Sequence, residues 1–327
     1  MELICPAGTL AAFRDAVDAG ADAVYCGFRD ETNARNFPGL NLTRDELAEA
    51  ILYAGSRDVK TFVAINTFMR AGGEALWTVA VDDAAALGAN ALILADLGLL
   101  AYAAERHPEV RRHLSVQAGA ANADHIDFVV EAFGVRRVVL PRVLTVAEIA
   151  ALTRTARCET EVFVFGGLCV MEEGRCSLSS YATGLSPNMN GMCSPASHVR
   201  YRREGDETVS GLGDFTINRF SKTEAAGYPT LCKGRFAAGD ERGYIFEDPV
   251  TLDALSQIDA LAAAGVAALK IEGRQRGRAY VSRVVTEMRK ALGGGGDGPP
   301  LAVERGLLDR LSEGQHTTTG AFEKRWR

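Results

Sequence analysis

The sequence predicts an α/β protein built as a TIM-like (β/α)8 barrel, with a long cysteine-bearing insertion between strands 7 and 8. Short apolar runs rich in β-branched residues alternate with amphipathic helical stretches along the chain. Several helices also end at a glycine that stands just before the next strand, as Gly20, Gly88 and Gly265 do. An open doubly wound sheet would show the same alternation and is the alternative.

Eight apolar runs have the length and composition of buried strands. Because the strands of such a barrel are parallel, their carboxyl ends all meet at one mouth. Barrel enzymes have their active sites at this mouth. The predicted strands are residues 2–5, 23–27, 61–66, 91–95, 114–118, 137–140, 161–165 and 268–272.

The last two predicted strands lie about a hundred residues apart, far more than an ordinary barrel connection. We therefore expect residues 168–259 to form an insertion at the mouth, within a barrel domain of residues 1–292. The Gly- and Pro-rich residues 293–300 have the composition of a flexible linker. Residues 301–327 would follow as a C-terminal tail, an appendage rather than a domain.

The composition is that of a soluble globular protein, with 47% hydrophobic and 24% charged residues in 327. A net charge of −6 argues against extensive binding to nucleic-acid phosphates. No apolar run reaches the roughly 20 residues of a membrane span, and the N-terminus lacks the pattern of a secretory signal. Seven cysteines are an odd number for a disulfide framework, so we expect a cytoplasmic protein.

Four cysteines of the insertion, in surroundings rich in Gly, Pro and Ser, predict a sulfur-ligated metal centre. They are Cys169, Cys176, Cys193 and Cys232. Soft thiolates select zinc, Cu(I) or iron–sulfur clusters, whereas packing cysteines would stand in apolar runs. Compact zinc modules usually pair their cysteines as CxxC, which does not occur here, so the spacing favours a cluster without excluding zinc.

Polar residues at the ends of the predicted strands are candidates for catalysis, because an apolar strand core would not choose them. A structural hydrogen bond is the alternative for each. Two arginines of this set would suit an anionic ligand, since guanidinium groups bind carboxylates through paired hydrogen bonds. The candidates are Asn66, Asp96, Gln117, Arg142, Glu272 and Arg274. Cys5 and Cys26 also end strands, and for Cys26 we expect packing.

Other catalytic patterns are missing from the sequence. The five histidines are scattered without an HExxH motif, and there is no GxSxG elbow. The glycine run at 293–296 is not followed by Gly-Lys-Ser/Thr and so is not a phosphate loop. Nothing in the sequence supports a protease triad.

One motif gives a specific resemblance. The pattern Glu161-x-Phe163-x-x-Gly166-Gly167-Leu168-Cys169, continued by Gly174-x-Cys176-x-Leu178-Ser179, resembles the signature of the peptidase U32 family. The agreement extends over essentially the whole chain. It is most specific to the branch of the family that acts in ubiquinone biosynthesis. The agreeing stretches are residues 1–8, 32–35, 39–41, 64–67, 91–97, 138–144, 270–276 and 312–318.

The resemblance implies a barrel-like core and a [4Fe–4S] cluster bound by Cys169, Cys176, Cys193 and Cys232. It further implies oxygen-independent hydroxylation of the aromatic ring of a quinone precursor, despite the word peptidase in the family's name. The partners it implies are a UbiV-like U32 protein in a heterodimer and a UbiT-like lipid-binding protein of the sterol-carrier type. Prephenate would be the oxygen donor, and its two carboxylates would suit Arg142 and Arg274.

Two alternatives stay open. Other members of the family resemble tRNA or rRNA hydroxylation factors, which tend to carry an extra C-terminal domain, and the acidic charge counts against them here. The chain would otherwise be a non-catalytic, cluster-bearing subunit whose partner supplies the active site. A structural zinc protein is the remaining possibility for the cysteines.

Overall fold

A computed structural model describes residues 1–169, 174–293 and 301–323 of the chain. The strands, in chain order, are β1 Glu2–Pro6, β2 Ala23–Gly27, β3 Lys60–Ile65, β4 Ala91–Leu94, β5 Arg111–Leu114, β6 Arg137–Val139, β7 Glu159–Gly167, β8 Val199–Glu204, β9 Glu207–Leu212, β10 Phe215–Phe220, β11 Arg235–Ala238, β12 Glu241–Tyr244, β13 Thr251–Asp253, β14 Ala268–Ile271 and β15 Thr317–Thr318.

The helices follow the same order. They are α1 Leu10–Asp18, α2 Arg44–Gly55, α3 Ala75–Ala86, α4 Leu97–Arg106, α5 Ala123–Phe133, α6 Val146–Thr155, α7 Leu178–Thr183, α8 Pro187–Asn190, α9 Ile258–Ala263, α10 Arg278–Ala291 and α11 Arg305–Leu311. Local sequence sets several of the starts. In α2 and α6, a threonine caps the first turn and a glutamate three residues on caps the threonine in return. Across the described ranges, no helix is both long and apolar enough to cross a membrane.

Strands β1 to β7 and β14 pair in parallel, and the sheet closes because β14 bonds to both β1 and β7. This confirms the predicted TIM-like barrel and excludes the open sheet, which would leave two unpaired edges. Apolar side chains fill both of its faces. Phe13, Trp77 and Leu92 belong to the larger core cluster, to which the helices contribute, and Tyr25 and Phe62 to a smaller one.

The fifth strand lies earlier than predicted. The prediction was 114–118, whereas β5 is Arg111–Leu114 and Val116–Ala118 forms one turn of 3-10 helix. The charged residues of β5 hid the strand from an analysis based on apolar runs. His113 packs edge-on against Phe62, with ring centroids 4.8 Å apart, and Arg112 donates to the carbonyl of Phe133 at 2.8 Å.

The insertion begins after β7 and contains a three-stranded antiparallel sheet, β8 to β10, and the hairpin β11–β12. Its last strand, β13, returns to the barrel and pairs antiparallel with the end of β7. The tail then adds β15 to β13, and Leu308 of α11 is fully buried. The tail is thus packed against the barrel, while the predicted linker lies, from residue 294 to 300, outside the described residues.

Candidate active site and metal centre

A cavity of about 650 Å³ lies at the C-terminal mouth of the barrel, between the barrel loops and the insertion. All four cysteines predicted as metal ligands line it: Cys169, Cys176, Cys193 and Cys232. The tail contributes Ser312, Glu313 and Gly314 to the same wall. The cavity is therefore built from the strand ends, the insertion and the tail together.

Two close backbone approaches position the first pair of cysteines. Gly166, at φ +121°, precedes Cys169, and a Cβ there would lie 2.5 Å from the carbonyl oxygen of Glu272. Gly174, at φ +80°, precedes Cys176, and its Cβ would lie 1.9 Å from the carbonyl oxygen of Gln117. Only glycine permits such close contacts, and it adopts such backbone angles most readily, so both glycines allow these loops to pack directly on the barrel.

The second pair is held by the loop after β2 and by the tail. A Cβ on Gly191, two residues before Cys193, would lie 2.1 Å from the carbonyl oxygen of Asn33. Cys232 lies in a 3-10 turn whose Lys233 forms an ion pair with Glu313 of the tail at 2.5 Å. Both cysteines are thereby fixed to segments distant in the sequence.

The thiols lie close enough to influence one another. Burial, together with the neighbouring Cys169 and Cys193 thiols, raises the pKa of Cys232 to about 11. Cys193 is exposed on one side, but the protein that surrounds its thiol still raises its pKa by desolvation, and the Arg35 guanidinium partly offsets this rise. Coordination to a metal removes this cost, because it deprotonates a thiol outright.

The donor set fits an iron–sulfur cluster in its chemistry, since four soft sulfur atoms face one space. Within the described ranges, no three Cys, His, Asp or Glu side chains form a group that could hold a metal ion. The four cysteines instead surround a volume, and bound iron would be held by Cys169, Cys176, Cys193 and Cys232.

A second, smaller chamber of about 40 Å³ lies in the end of the barrel and shares Arg35, Gln117 and Glu272 with the cysteine-lined cavity. Five of the six candidate catalytic residues line this chamber: Asn66, Gln117, Arg142, Glu272 and Arg274. The structure therefore brings these five side chains together, as their positions at the strand ends predicted.

Asp96 is the exception among the six. Its carboxylate accepts the backbone N–H of Leu99 at 3.0 Å and so caps α4, and it also accepts the N–H of Met69 at 3.3 Å. It does not belong to the lining of either cavity. Asn66 lines the chamber and is also structural, since its amide accepts from Ala34 N–H and donates to the Ser115 hydroxyl, each at 3.0 Å.

Charges are concentrated around the chamber. Arg35 approaches Glu272 at 3.6 Å in the shared wall. Burial acts to raise the pKa of Glu272, but Arg35 and Arg142 outweigh it and lower the pKa. The Arg274 guanidinium donates to the Asn33 side chain at 3.2 Å, and burial lowers its pKa to about 10. The chamber thus collects cationic groups around a single carboxylate at its wall.

Two charged residues that line the smaller chamber were missed at the level of the sequence. Arg35 lies in the loop after β2, and only the family resemblance singled out its segment. Lys270 lies on β14. A single lysine within an otherwise apolar strand was the sequence signal that could have pointed to it as a site residue. Cys5 and Cys26 are fully buried and Cys158 packs partly against the core, so none of the three lines either cavity.

The fold and the site together define a (β/α)8 barrel protein whose mouth is covered by a thiol-bearing insertion. The sequence profile of peptidase family U32 matches residues 8–320, and the chain belongs to this family. The resemblance found in the motif around Cys169 and Cys176 is thereby confirmed.

Several curated relatives are named for RNA hydroxylation. The chain is 31% identical to tRNA hydroxylation protein P of Haemophilus influenzae, covering 96% of this chain and 72% of the relative. The Escherichia coli protein of the same name is 32% identical, over 95% of this chain and 71% of the relative. The 23S rRNA 5-hydroxycytidine C2501 synthase of Escherichia coli is 28% identical, over 96% and 42%.

Among solved structures, the U32 peptidase Mk0906 is similar at 16% identity, with a TM-score of 0.42 over 51% of this chain and 70% of that chain.

Proposed function

We propose that this chain is an iron–sulfur protein of oxygen-independent ring hydroxylation, with a [4Fe–4S] cluster on Cys169, Cys176, Cys193 and Cys232. The observation that carries the proposal is the lining of one mouth cavity by all four thiols. Membership of family U32 and relatives named as hydroxylation proteins support it. A cluster in this position would supply single-electron transfer.

The residues of the chain would then do the binding. The chamber shares a wall with the thiol cavity, so a ligand whose end enters the chamber would extend into the larger cavity beside the cluster site. Arg142 and Arg274 would hold the carboxylates of an anionic co-substrate, for which prephenate is our proposal as the oxygen donor. The Arg35–Glu272 pair would form the boundary between the two spaces.

For the substrate we propose the aromatic ring of a ubiquinone precursor, as in the UbiU branch of the family. The motifs that extend over the chain favour this branch, among them Thr32-Asn-Ala-Arg35 and Lys270-Ile-Glu-Gly-Arg274. The partners would be a UbiV-like U32 protein, forming a heterodimer, and a UbiT-like lipid-binding protein that presents the apolar precursor.

An RNA pyrimidine ring is the second candidate substrate. The curated relatives favour it over the quinone precursor, because the three described above are named for the hydroxylation of tRNA or rRNA. Both substrates would require a C–H bond of a ring to be replaced by C–O without molecular oxygen, so the two candidates share the chemistry of the site.

The first test measures iron, acid-labile sulfide and zinc in protein purified without oxygen and co-expressed with a UbiV-like partner. Cys176→Ala is the test variant, and Cys158→Ala, which alters a cysteine outside the cavity, is the matched control. We expect about four irons and four sulfides per chain, lost in Cys176→Ala and kept in Cys158→Ala. Zinc without sulfide would overturn the cluster proposal and leave a structural metal site.

A second test separates the substrates. A deletion strain grown without oxygen is analysed for hydroxylated quinone and for 5-hydroxylated nucleosides in tRNA and rRNA. Loss of quinone alone supports the first candidate, and loss of an RNA modification alone supports the second. Arg142→Ala and Arg274→Ala variants that restore full hydroxylation would refute the carboxylate clamp. If both variants fail while the iron content stays normal, the chain is catalytic and not only a cluster-bearing subunit.

A further inference from the structure

A buried lysine lies in the chamber and has no part in the function proposed so far. The Lys270 side chain is 5% exposed, lines the chamber and donates from Nζ to Glu161 Oε1 at 2.5 Å. Its ammonium lies 4.1 Å from the centroid of the Tyr25 ring. An amine enclosed by aromatic rings and open to a small space has the setting that proteins use for reactive lysines.

The groups that face Lys270 come from several strands of the barrel and from the loop that follows its own strand. Burial lowers the pKa of Lys270, the Glu161 carboxylate opposes the shift, and Arg274 and Arg137 add to the lowering. Tyr25 donates its hydroxyl to the carbonyl of Ile271 at 2.9 Å and stays neutral. His113 stays neutral as well, because burial and then Arg137 hold its pKa well below the ordinary value. Glu161 is therefore the one anion among these five neighbours.

The same carboxylate connects Lys270 to the opposite end of the barrel. Glu161 accepts from Arg137 at 3.3 Å, and Arg137 forms a further ion pair with Glu2 at 2.6 Å. A guanidinium does not give up its proton in proteins, so this row of charges holds Lys270 in place without conducting protons. A proton taken up by the amine can leave only through the chamber.

We propose that Lys270 is the proton acceptor of the ring hydroxylation, a role that rests on the function proposed above. The C–O bond to the ring forms as the C–O bond of the oxygen donor breaks, with the donor keeping that bond's electron pair, so the ring becomes a cationic adduct whose oxygenated carbon still carries its hydrogen. The unprotonated form of Nζ, which burial makes more accessible than in a free lysine, takes that proton, the electron pair of the C–H bond returns to the ring, and the ring becomes aromatic again. The resulting ammonium is stabilised by Glu161 and passes its proton to water when the product leaves. This step requires no oxidant.

The proposal is tested without activity by competitive acetylation of the anaerobic holoprotein with isotope-coded acetic anhydride across a pH series. The chain has six lysines, so each can be followed by mass spectrometry. Lys60, half exposed at 52% and paired with Glu2, is the internal reference. We expect Lys270 to react with a midpoint below that of Lys60. A Lys270 that stays unmodified, or that reacts only at the pH of Lys60, overturns the proposal.

The activity test uses the holoprotein with its co-expressed partner and compares Lys270→Arg with Lys270→Met. General-base catalysis is worth about 100-fold or more in kcat, and we expect both variants to lose at least that much with little change in KM. Lys60→Arg, at the opposite end of the barrel, should keep wild-type activity. Restoration by arginine would show that Lys270 serves only as the ion-pair partner of Glu161 and would overturn the proposal.

Glu161→Gln adds a readout that a structural role would not move. Removing the carboxylate lowers the pKa of Lys270 further, so the acid limb of the pH–rate profile should move to lower pH. An unmoved limb counts against Lys270. If the wild-type holoprotein converts neither the quinone precursor nor RNA, the hydroxylation proposal has failed and the role of Lys270 in it fails too, whereas the acetylation experiment still shows whether Lys270 is a reactive amine.

Discussion

Replacing Gly174 by alanine should detach Cys176 from the metal centre we propose while leaving the barrel folded. The added Cβ would lie 1.9 Å from the carbonyl oxygen of Gln117, and real Cβ atoms essentially never come nearer than 3.0 Å to such an atom. The loop must therefore move by about 1.1 Å or more. Metal–ligand distances tolerate only about 0.2 Å, so a displacement of this size at Cys176 should break its bond to iron.

Gly184→Ala is the matched control, because both glycines lie in the insertion at similar backbone angles, φ +80° and φ +71°. A Cβ on Gly184 would meet no atom within 4 Å, so the control carries only the cost of the left-handed conformation, about 1 kcal/mol. Iron and sulfide content, measured beside thermal unfolding, is the assay. We expect metal loss in Gly174→Ala alone, and wild-type iron content in that variant would refute the reasoning.

Two further predictions concern stability. Burial acts to raise the pKa of Glu287, but the Lys290 ammonium and the backbone N–H of Glu304 outweigh it and lower the pKa. Glu287→Gln should therefore lower the melting temperature at neutral pH, and the gap to wild type should close as the pH falls below about 4; a constant gap contradicts this. Trp77→Phe removes a fully buried indole bonded at 2.9 Å to the Thr67 hydroxyl, and we expect denaturant unfolding to show a loss of about 2 kcal/mol or more; an unchanged midpoint would contradict it.

The sequence predicted most of the barrel because most of its strands are apolar, and a buried parallel strand leaves a continuous hydrophobic run. It misplaced β5, where arginines and a histidine occupy strand positions. Such residues are stabilised by partners that only the folded barrel brings near, as Arg112 is by the carbonyl of Phe133. A pattern based on hydrophobicity alone cannot find a strand of this kind.

The candidate site was predictable where the chemistry was local. The four cysteines stood out because glycines and prolines surround them, and their glycines are needed for close backbone contacts. Arg35, Lys270 and the tail residue Glu313 were missed, because each reaches its cavity through long-range packing. Asp96 shows the opposite error, since a carboxylate after a strand serves equally well as a helix cap.

The contribution of the tail to the cavity wall has a consequence for how the protein is made. A chain leaves the ribosome from its N-terminus, and the barrel strands up to β7 and the four cysteines emerge well before residues 312–314. The cavity lined by the four cysteines is therefore open on one side during synthesis. It closes when the tail arrives and β15 pairs with β13. If the proposed cluster is inserted during that interval, iron would have an open path to the cysteines, and the arrival of the tail would then cover that side of the cavity.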